Sequence, residues 1–258
     1  MMPATYWEPG LRMEHDPGIK PEALLAAIGD PGAVIKQSRR TVVRRVGEWA
    51  IKESKAGSPL HWLDLTFRAE RYTKAWDLGL RLREAGITVP APVASVSRHW
   101  HGLCTYRATI TEWLEGWQDV EDAARALHAA DAGPAEITRL LEGIAMLHTR
   151  LSRAGFRHAD LSGKNIYCRT TAQGFEYALI DLDSAEAEPI SNDMRFRNAV
   201  QLHDSFCDLW EDATLAPMAL AIMDAPADDE ATLARVVSGQ KARRARIEAI
   251  WARQRAAR

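Results

Sequence analysis

Two carboxylates and an amide stand at a spacing that chemistry can use. The segment His158-Ala159-Asp160-Leu161-Ser162-Gly163-Lys164-Asn165 places a carboxylate and an amide five positions apart in a turn-rich stretch. The apolar run Tyr177-Ala178-Leu179-Ile180 then delivers a second carboxylate, Asp181, with Asp183 two positions on. In phosphoryl transfer one carboxylate orients the attacking hydroxyl or accepts its proton, while an amide oxygen and another carboxylate hold magnesium against the nucleotide phosphates. Hard oxygen donors suit that ion, so no Cys/His cluster is needed. Asp160, Asn165 and Asp181 are therefore the candidates for these roles. The His-x-Asp-x4-Asn pattern alone arises by chance on the order of once in 100 chains of average composition. Asp160 and Asn165 are also ordinary turn residues, and His158 reads equally well as a satisfied core histidine.

The elements that must position these groups add weight. Trp49-Ala50-Ile51-Lys52 ends the third strand of a meander, and Glu70 lies in the helix that follows. A strand lysine on the nucleotide phosphates, steadied by a helix glutamate, belongs to the same chemistry. Singly, each has a plainer explanation: a lysine snorkelling from a strand, a glutamate solvated on a helix. Together, in this order and on these elements, they are hard to assign to chance.

The first third of the chain reads as β-rich. Ala33–Lys36, Thr41–Val46 and Trp49–Lys52 predict three strands joined by the polar loop Gln37–Arg40 and the turn Gly47-Glu48. A helix is expected over 65–85, with Phe67, Ala75, Trp76, Gly79 and Leu82 near one face and Gly86 as its stop. Two further strands, near 93–97 and 103–113, flank a His99–Gly102 turn. Beyond them the pattern turns helical. Ile137, Leu140, Leu141, Ile144, Leu147, His148 and Leu151 recur at three and four residues after Gly133-Pro134. A small β insertion spans about 156–182, and helices are expected over 195–210 and much of 231–258. Five strands with one helix, followed by a helical body, make a two-lobe α+β plan. The expected division is 1–112, the sheet and helix on the nucleotide-phosphate side, and 113–258, the helical part with the catalytic loop and metal motif.

His158-Ala-Asp160-Leu with Asn165, then Leu179-Ile180-Asp181-Leu-Asp183, resembles the lipopolysaccharide kinases, the group of the Kdo and core heptose kinases. The resemblance runs back through Trp49-Ala-Ile-Lys52, Glu70 and Leu82–Pro90, and forward, more weakly, to Arg195–Leu202, covering roughly residues 33–210. It implies a bilobal protein-kinase-like fold with an antiparallel N-lobe sheet and a mainly helical C-lobe. It also implies ATP and Mg2+ as cofactors and a sugar or glycolipid hydroxyl as acceptor. Carried over by position, it implies Lys52 on the phosphates with Glu70 as its partner, Asp160 as the catalytic carboxylate, and Asn165 with Asp181 on magnesium. His158 becomes a support, and the backbone of Glu112, Trp113 and Leu114 meets the adenine edge. The chain departs from the protein-kinase pattern in three places. There is no Gly-x-Gly-x-x-Gly loop; the tip Gln37-Ser38-Arg39-Arg40 stands there, with Ser38, Arg39 and Arg40 as candidate phosphate contacts. Ser162 sits where many protein kinases carry lysine, and Lys164, beside Asn165, is the candidate for steadying the transferred phosphate. Asp183 replaces the glycine of Asp-Phe-Gly, which weakens the case for a switchable activation segment. His158–Ser162 is also similar to RIO-type kinases, and the layout to aminoglycoside and choline phosphotransferases. A nucleotide-binding pseudokinase scaffold is a further alternative, disfavoured by the intact Lys52, Asp160, Asn165 and Asp181.

Composition bounds the partners. At 258 residues, 47% hydrophobic and 26% charged, the chain is ordinary for a globular protein. No apolar run reaches the roughly 18–20 residues of a membrane span, and residues 1–16 carry no apolar secretory stretch, so a cytoplasmic address is expected. Cys104, Cys168 and Cys207 are too scattered for a disulfide framework or a thiolate zinc site. A net charge of −2 gives no global pull toward nucleic acid. Residues 241–258 nonetheless hold seven basic side chains against Glu248. Arg243, Arg244 and Arg246 surround an apolar stripe of Ile247, Ile250 and Trp251. Such a helix suits either packing on the core with a solvated basic side or peripheral contact with the cytoplasmic face of the inner membrane. No aromatic-interleaved basic surface accompanies it, which argues against nucleic acid. Arg195 and Arg197 are candidates for meeting an acidic acceptor. Oligomeric state leaves no signal in the sequence.

Overall fold

A computed structural model describes residues 3–38, 41–55, 58–67, 69–172 and 174–256; the side chains at 55, 59–60, 69–74 and 256 are outside that description. The chain forms two compact units, Met1–Glu115 and Gly116–Arg258.

The first unit is built on β1 (Ala4–Glu8), β2 (Leu11–His15), α1 (Pro21–Gly29), β3 (Ala33–Gln37), β4 (Thr41–Val46), β5 (Trp49–Lys55), α2 (Pro59–Phe67), α3 (Ala69–Glu84), β6 (Pro92–Trp100) and β7 (Leu103–Glu112). Its seven antiparallel strands follow the order β1-β2-β6-β7-β5-β4-β3. The sequence predicted five. The missing pair, β1 and β2, is a hairpin turning at Pro9-Gly10, with Gly10 at φ 78. In β2, Leu11, Met13 and His15 are buried while Arg12 is exposed, the two-residue alternation of a half-buried strand. Leu11 and Met13 join Leu24 and Ala27 of α1, another element the sequence did not disclose, and Ile51, Val96 and Ile110 in one core. The helix expected over 65–85 falls on the end of α2 and on α3, which stand on either side of residue 68, outside the described residues. Phe67, placed on the buried face by its spacing, is 84% exposed, whereas Trp76, Gly79 and Leu82 are buried as that spacing requires.

A buried ion pair crosses this sheet. Arg44 Nε donates to Glu53 Oε2 at 2.9 Å, and both side chains are sealed from solvent. Tyr106 donates its hydroxyl to Glu53 Oε1 at 2.5 Å, while Arg44 Nη1 and Nη2 donate to the carbonyls of Ala27 and Ile28 at 3.3 and 2.5 Å. The guanidinium thus satisfies the Ile28 carbonyl at the end of α1 and adds a second bond to that of Ala27, which also accepts from Asp30 N at 3.3 Å. Burial, reinforced by the bond to Glu53, holds the Tyr106 phenol above its ordinary value and keeps it a donor. At the sheet's outer edge β3 is exposed along its whole length, and its register with β4 shifts between Val34 and Lys36.

The second unit contains β8 (Gln118–Asp119), α4 (Val120–Ala129), α5 (Pro134–Arg153), β9 (Arg157–His158), β10 (Ile166–Thr171), β11 (Gly174–Leu179), β12 (Ala185–Glu186), α6 (Asn192–Phe206), α7 (Asp212–Met223) and α8 (Glu230–Ala256). Capping marks the helix starts. Asp119 accepts from Asp122 N at 2.8 Å, Ser191 accepts from Met194 N at 3.2 Å, and Pro134 opens α5. The predicted apolar stripe of α5 buries Leu140, Ile144, Leu147 and Leu151; α6 contributes Leu202 and Phe206, and α7 contributes Leu215, Met218 and Ile222. His148 lies within this apolar stripe, and burial followed by the nearby Arg195 lowers its pKa to about 4, so it is neutral at physiological pH. Helix α5 can lie against β11 because residue 143 is glycine: a Cβ there would fall inside the Tyr177 ring. Tyr177 in turn donates its hydroxyl to Leu140 O at 2.9 Å.

The basic end of the chain divides its work. Arg244 Nε donates to Asp204 Oδ1 at 2.5 Å, and Arg244 Nη1 and Nη2 reach Asp208 at 2.6 and 2.8 Å. Arg243 also bonds Asp204, which takes a further bond from Gln240 Nε2 at 3.0 Å. These contacts fasten α8 to α6 and its C-terminal flank, and the bond from Arg244 holds the Asp208 carboxyl below its ordinary range. Farther along the same helix Ile250 is 45% and Trp251 57% exposed, and Arg246, Arg253 and Arg255 are also exposed. Among the described residues no helix is long and apolar enough to cross a membrane.

Candidate active site

Helix α5 stops at a left-handed glycine. Gly155 has φ 74, and Phe156 N donates back to Leu151 O at 2.9 Å, the bond that closes a helix C-terminus. The chain then enters β9, which pairs with β12 through His158↔Ala185 and Arg157↔Glu186. Ala159 N donates to Ser184 O at 2.7 Å, so the segment leading into Asp160 is held to the segment leaving Asp183.

His158 supplies the second tie. Its ring is buried, and Nε2 lies 3.1 Å from the carbonyl of Asp181. Burial pushes its pKa down. A neutral ring facing a carbonyl must carry its proton on Nε2, so His158 donates. It supports the backbone of Asp181, and its unprotonated Nδ1 is buried away from solvent.

Asp160 and Asn165 meet directly. Asn165 Nδ2 donates to the Asp160 carbonyl at 2.7 Å and to Asp160 Oδ2 at 3.1 Å. The short 3₁₀ turn Gly163–Asn165 creates this approach, with Asn165 N bonded to Ser162 O at 3.0 Å. With Nδ2 committed to Asp160, the Asn165 Oδ1 faces away from it. Ile180 N donates to Asn165 O at 2.9 Å, which fixes the amide-bearing residue beside the residue preceding Asp181. The register Ile166↔Leu179 continues that alignment. Asp181 itself has φ 59 and ψ 55, a left-handed conformation uncommon outside glycine, though aspartate adopts it more readily than most residues. Asp160 and Asp181 are both exposed. Asp160, Asn165 and Asp181 are therefore joined within one unit by β9–β12 pairing, His158 and the Asn165–Ile180 bond.

Lys164 lies on the same loop, exposed, with Nζ 4.0 Å from Glu121 Oε2. Glu121 is buried on α4 beneath Gly163; a Cβ at 163 would come within 2.6 Å of Glu121 Cγ. Helix α6 adds two groups that sequence reasoning missed. Gln201 Oε1 accepts from Leu161 N at 3.1 Å, its Nε2 donates to Asp160 Oδ1 at 3.3 Å, and Ser205 Oγ accepts from Gly163 N at 3.0 Å. Their spacing of four, beside the apolar Leu202 and Phe206, was the available signal: two polar residues on one helical face. Arg195, a candidate for the acceptor, instead donates to Ser152 Oγ at 2.9 Å.

The remaining candidates lie in the first unit. Lys52 is half-buried on β5 between Val43 of β4 and Thr109 of β7. Ser38 closes the β3–β4 hairpin, its hydroxyl accepting from Thr41 N at 3.0 Å. Arg39 and Arg40 lie outside the described residues, as does the side chain of Glu70 on α3. Glu112 ends β7, with its amide bonded to Ala91 O at 2.9 Å; Trp113 N bonds Glu48 O at 2.7 Å, and Leu114 follows.

The donors gathered near Asp160 are an amide oxygen and carboxylates. The imidazole is turned onto a carbonyl, and no thiolate joins them. An oxygen donor set of this kind suits a hard cation such as Mg2+.

The model of the lipopolysaccharide kinase (Kdo/WaaP) family matches residues 55–234. Among solved structures, WaaP in complex with acyl carrier protein superposes with a TM-score of 0.60 at 20% identity, covering 87% of this chain and 93% of that one. The structure of WbdD gives a TM-score of 0.51 at 17% identity over 80% of this chain, which spans 45% of WbdD. These likenesses establish a protein-kinase-like fold. Among curated protein sequences nothing matches.

Proposed function

Because the chain belongs to the lipopolysaccharide kinase (Kdo/WaaP) family, and is thus an ATP-dependent kinase of lipopolysaccharide biosynthesis, we propose that its acceptor is a sugar hydroxyl of a core precursor, on Kdo or heptose. The observation that carries the assignment of roles is the Asn165–Asp160 pair, fastened to the backbone on either side of Asp181. Asp160 takes the acceptor's proton as the acceptor oxygen forms its bond to the γ-phosphorus. The bond from that phosphorus to the bridging oxygen breaks, and ADP leaves. Asn165 Oδ1 and the Asp181 carboxylate are the ligands for Mg2+, which when bound neutralises phosphate charge. Lys52, with Glu70, binds the nucleotide phosphates, aided by Ser38, Arg39 and Arg40. Lys164 steadies the transferred group, and the backbone of Glu112–Leu114 receives the adenine.

Mass spectrometry of lipopolysaccharide from cells with and without the gene tests the acceptor. Loss of one phosphoryl group from a core sugar is expected. An unchanged lipid would send the phosphate elsewhere.

The enzyme works, on this proposal, at the cytoplasmic face of the inner membrane. Arg243 and Arg244 are spent on Asp204 and Asp208, so the docking surface is the farther part of α8. There Ile250 and Trp251 are exposed and Arg246, Arg253 and Arg255 flank them. Aromatic and aliphatic anchors with arginines alongside suit an anionic bilayer, each cation near the surface adding about 1 kcal/mol. Co-sedimentation with phosphatidylglycerol vesicles should exceed that with phosphatidylcholine vesicles and fall at least fivefold in Trp251→Glu. Binding to acyl carrier protein with none to either vesicle would replace the bilayer with a protein partner.

A further inference from the structure

Asp160 must present a particular oxygen in a particular direction, and its carboxylate torsion has no sharp preference of its own. One donor cannot fix it, because the group can still swing about that bond. Two donors on different oxygens can. Asn165 Nδ2 takes Oδ2 at 3.1 Å from within the loop, and Gln201 Nε2 takes Oδ1 at 3.3 Å from α6.

Gln201 is well placed because its own amide is held. Its Oε1 accepts from Leu161 N at 3.1 Å, and its Nε2 also reaches Ala159 O at 3.5 Å. With the oxygen turned to the 161 amide, the nitrogen must face residues 159 and 160. One side chain thereby bridges the peptide before Asp160, the peptide after it and the carboxylate itself. One helical turn on, Ser205 accepts from Gly163 N at 3.0 Å and donates to Gln201 O at 3.2 Å. Ser205 fastens the same loop from the same helix without touching the carboxylate.

We propose that Gln201 is a positioning residue for phosphoryl transfer, setting the direction of the Asp160 carboxylate through its Nε2 while reading the loop backbone through its Oε1. This rests on Asp160 being the group that meets the acceptor hydroxyl. A carboxylate free to rotate spends most of its time misdirected, and a small misplacement of a reacting group costs as much as 10²-fold.

The test measures transfer from ATP to lipopolysaccharide extracted from cells lacking the gene, using purified protein. Gln201→Met removes both functions of the amide. Gln201→Glu keeps an acceptor for Leu161 N and removes the donor to Asp160. Both variants are expected to lose about 10–100-fold in kcat, with KM for ATP within about twofold of the parent. Ser205→Ala is expected to lose at least fivefold less of the rate than either. Full turnover in Gln201→Glu would reduce Gln201 to a loop clamp and overturn the proposal. A Gln201→Met loss no larger than that of Ser205→Ala would overturn it too. Should Gln201→Met fail to fold, full turnover in Gln201→Glu, which keeps the size of the side chain and sets a charge beside Asp160, still overturns the proposal. Asp160→Asn is run alongside. Normal turnover there would show that Asp160 does not meet the acceptor, and Gln201 would have nothing to position. A severe loss in Asp160→Asn with normal Gln201 variants would retire the positioning role alone.

Discussion

Asp160→Ala is expected to cut phosphoryl transfer by about 10²–10⁴-fold, the usual contribution of a positioned general base. Nucleotide affinity should survive, because the groups assigned to nucleotide and metal, Lys52, Asn165 and Asp181, stay in place. Asn165 loses only one of its two bonds to residue 160, the 3.1 Å bond to the carboxylate; the 2.7 Å bond to the carbonyl remains. The loop should therefore hold its shape. Steady-state transfer kinetics with calorimetric titration of ATP in Mg2+ separate the two effects. Unchanged turnover removes Asp160 from the chemistry. Loss of ATP binding together with turnover makes it part of the nucleotide site.

Glu53→Ala is expected to destabilise the protein by roughly 3–5 kcal/mol, the range for removing one partner of a sealed ion pair. The cost comes chiefly from what is left behind: Arg44 stays buried with its Nε aimed at an empty place, and Tyr106 loses the acceptor for its hydroxyl. Replacing Arg44 and Glu53 together by methionine and leucine should cost far less, since two charges are then spared desolvation. Urea unfolding of the two variants provides the comparison. An exposed pair would cost no more than about 1 kcal/mol, so a small loss in Glu53→Ala would mean that water reaches the pair.

Legibility in the sequence followed the strength of the local pattern. The α5 stripe, the β3–β5 meander and the loop from His158 to Asn165 could be read directly, because each combines several residues with a firm punctuation mark. Pro134 opens α5 and Gly155 closes it; Gly47-Glu48 turns the β4–β5 hairpin. The hairpin of β1 and β2 was hidden by its length. Each strand has five residues, and Leu11, Met13 and His15 give three inward positions, one of them a histidine. Helix α7 escaped notice because Pro217 stands inside it and its apolar residues lie on every side. Phe67 shows the limit of periodicity: its spacing fits the buried face, yet its ring is left in solvent. In the site, spacing could nominate Asp160, Asn165 and Asp181. It could not show that Asn165 bonds Asp160, or that Gln201 comes from another helix to do the same. Contacts between residues about 40 positions apart exist only once the chain has folded.

The outermost strand of the large sheet has a bearing on how the protein behaves at high concentration. β3 offers Val34 and Ile35 to solvent along an unpaired backbone edge, the kind of template on which a neighbouring molecule can add a strand. The register shift beside Lys36 interrupts that template after two residues, and the lysine sets a charge at the break. Removing the charge, as Lys36→Val would, leaves the kink to oppose edge-to-edge assembly here without it.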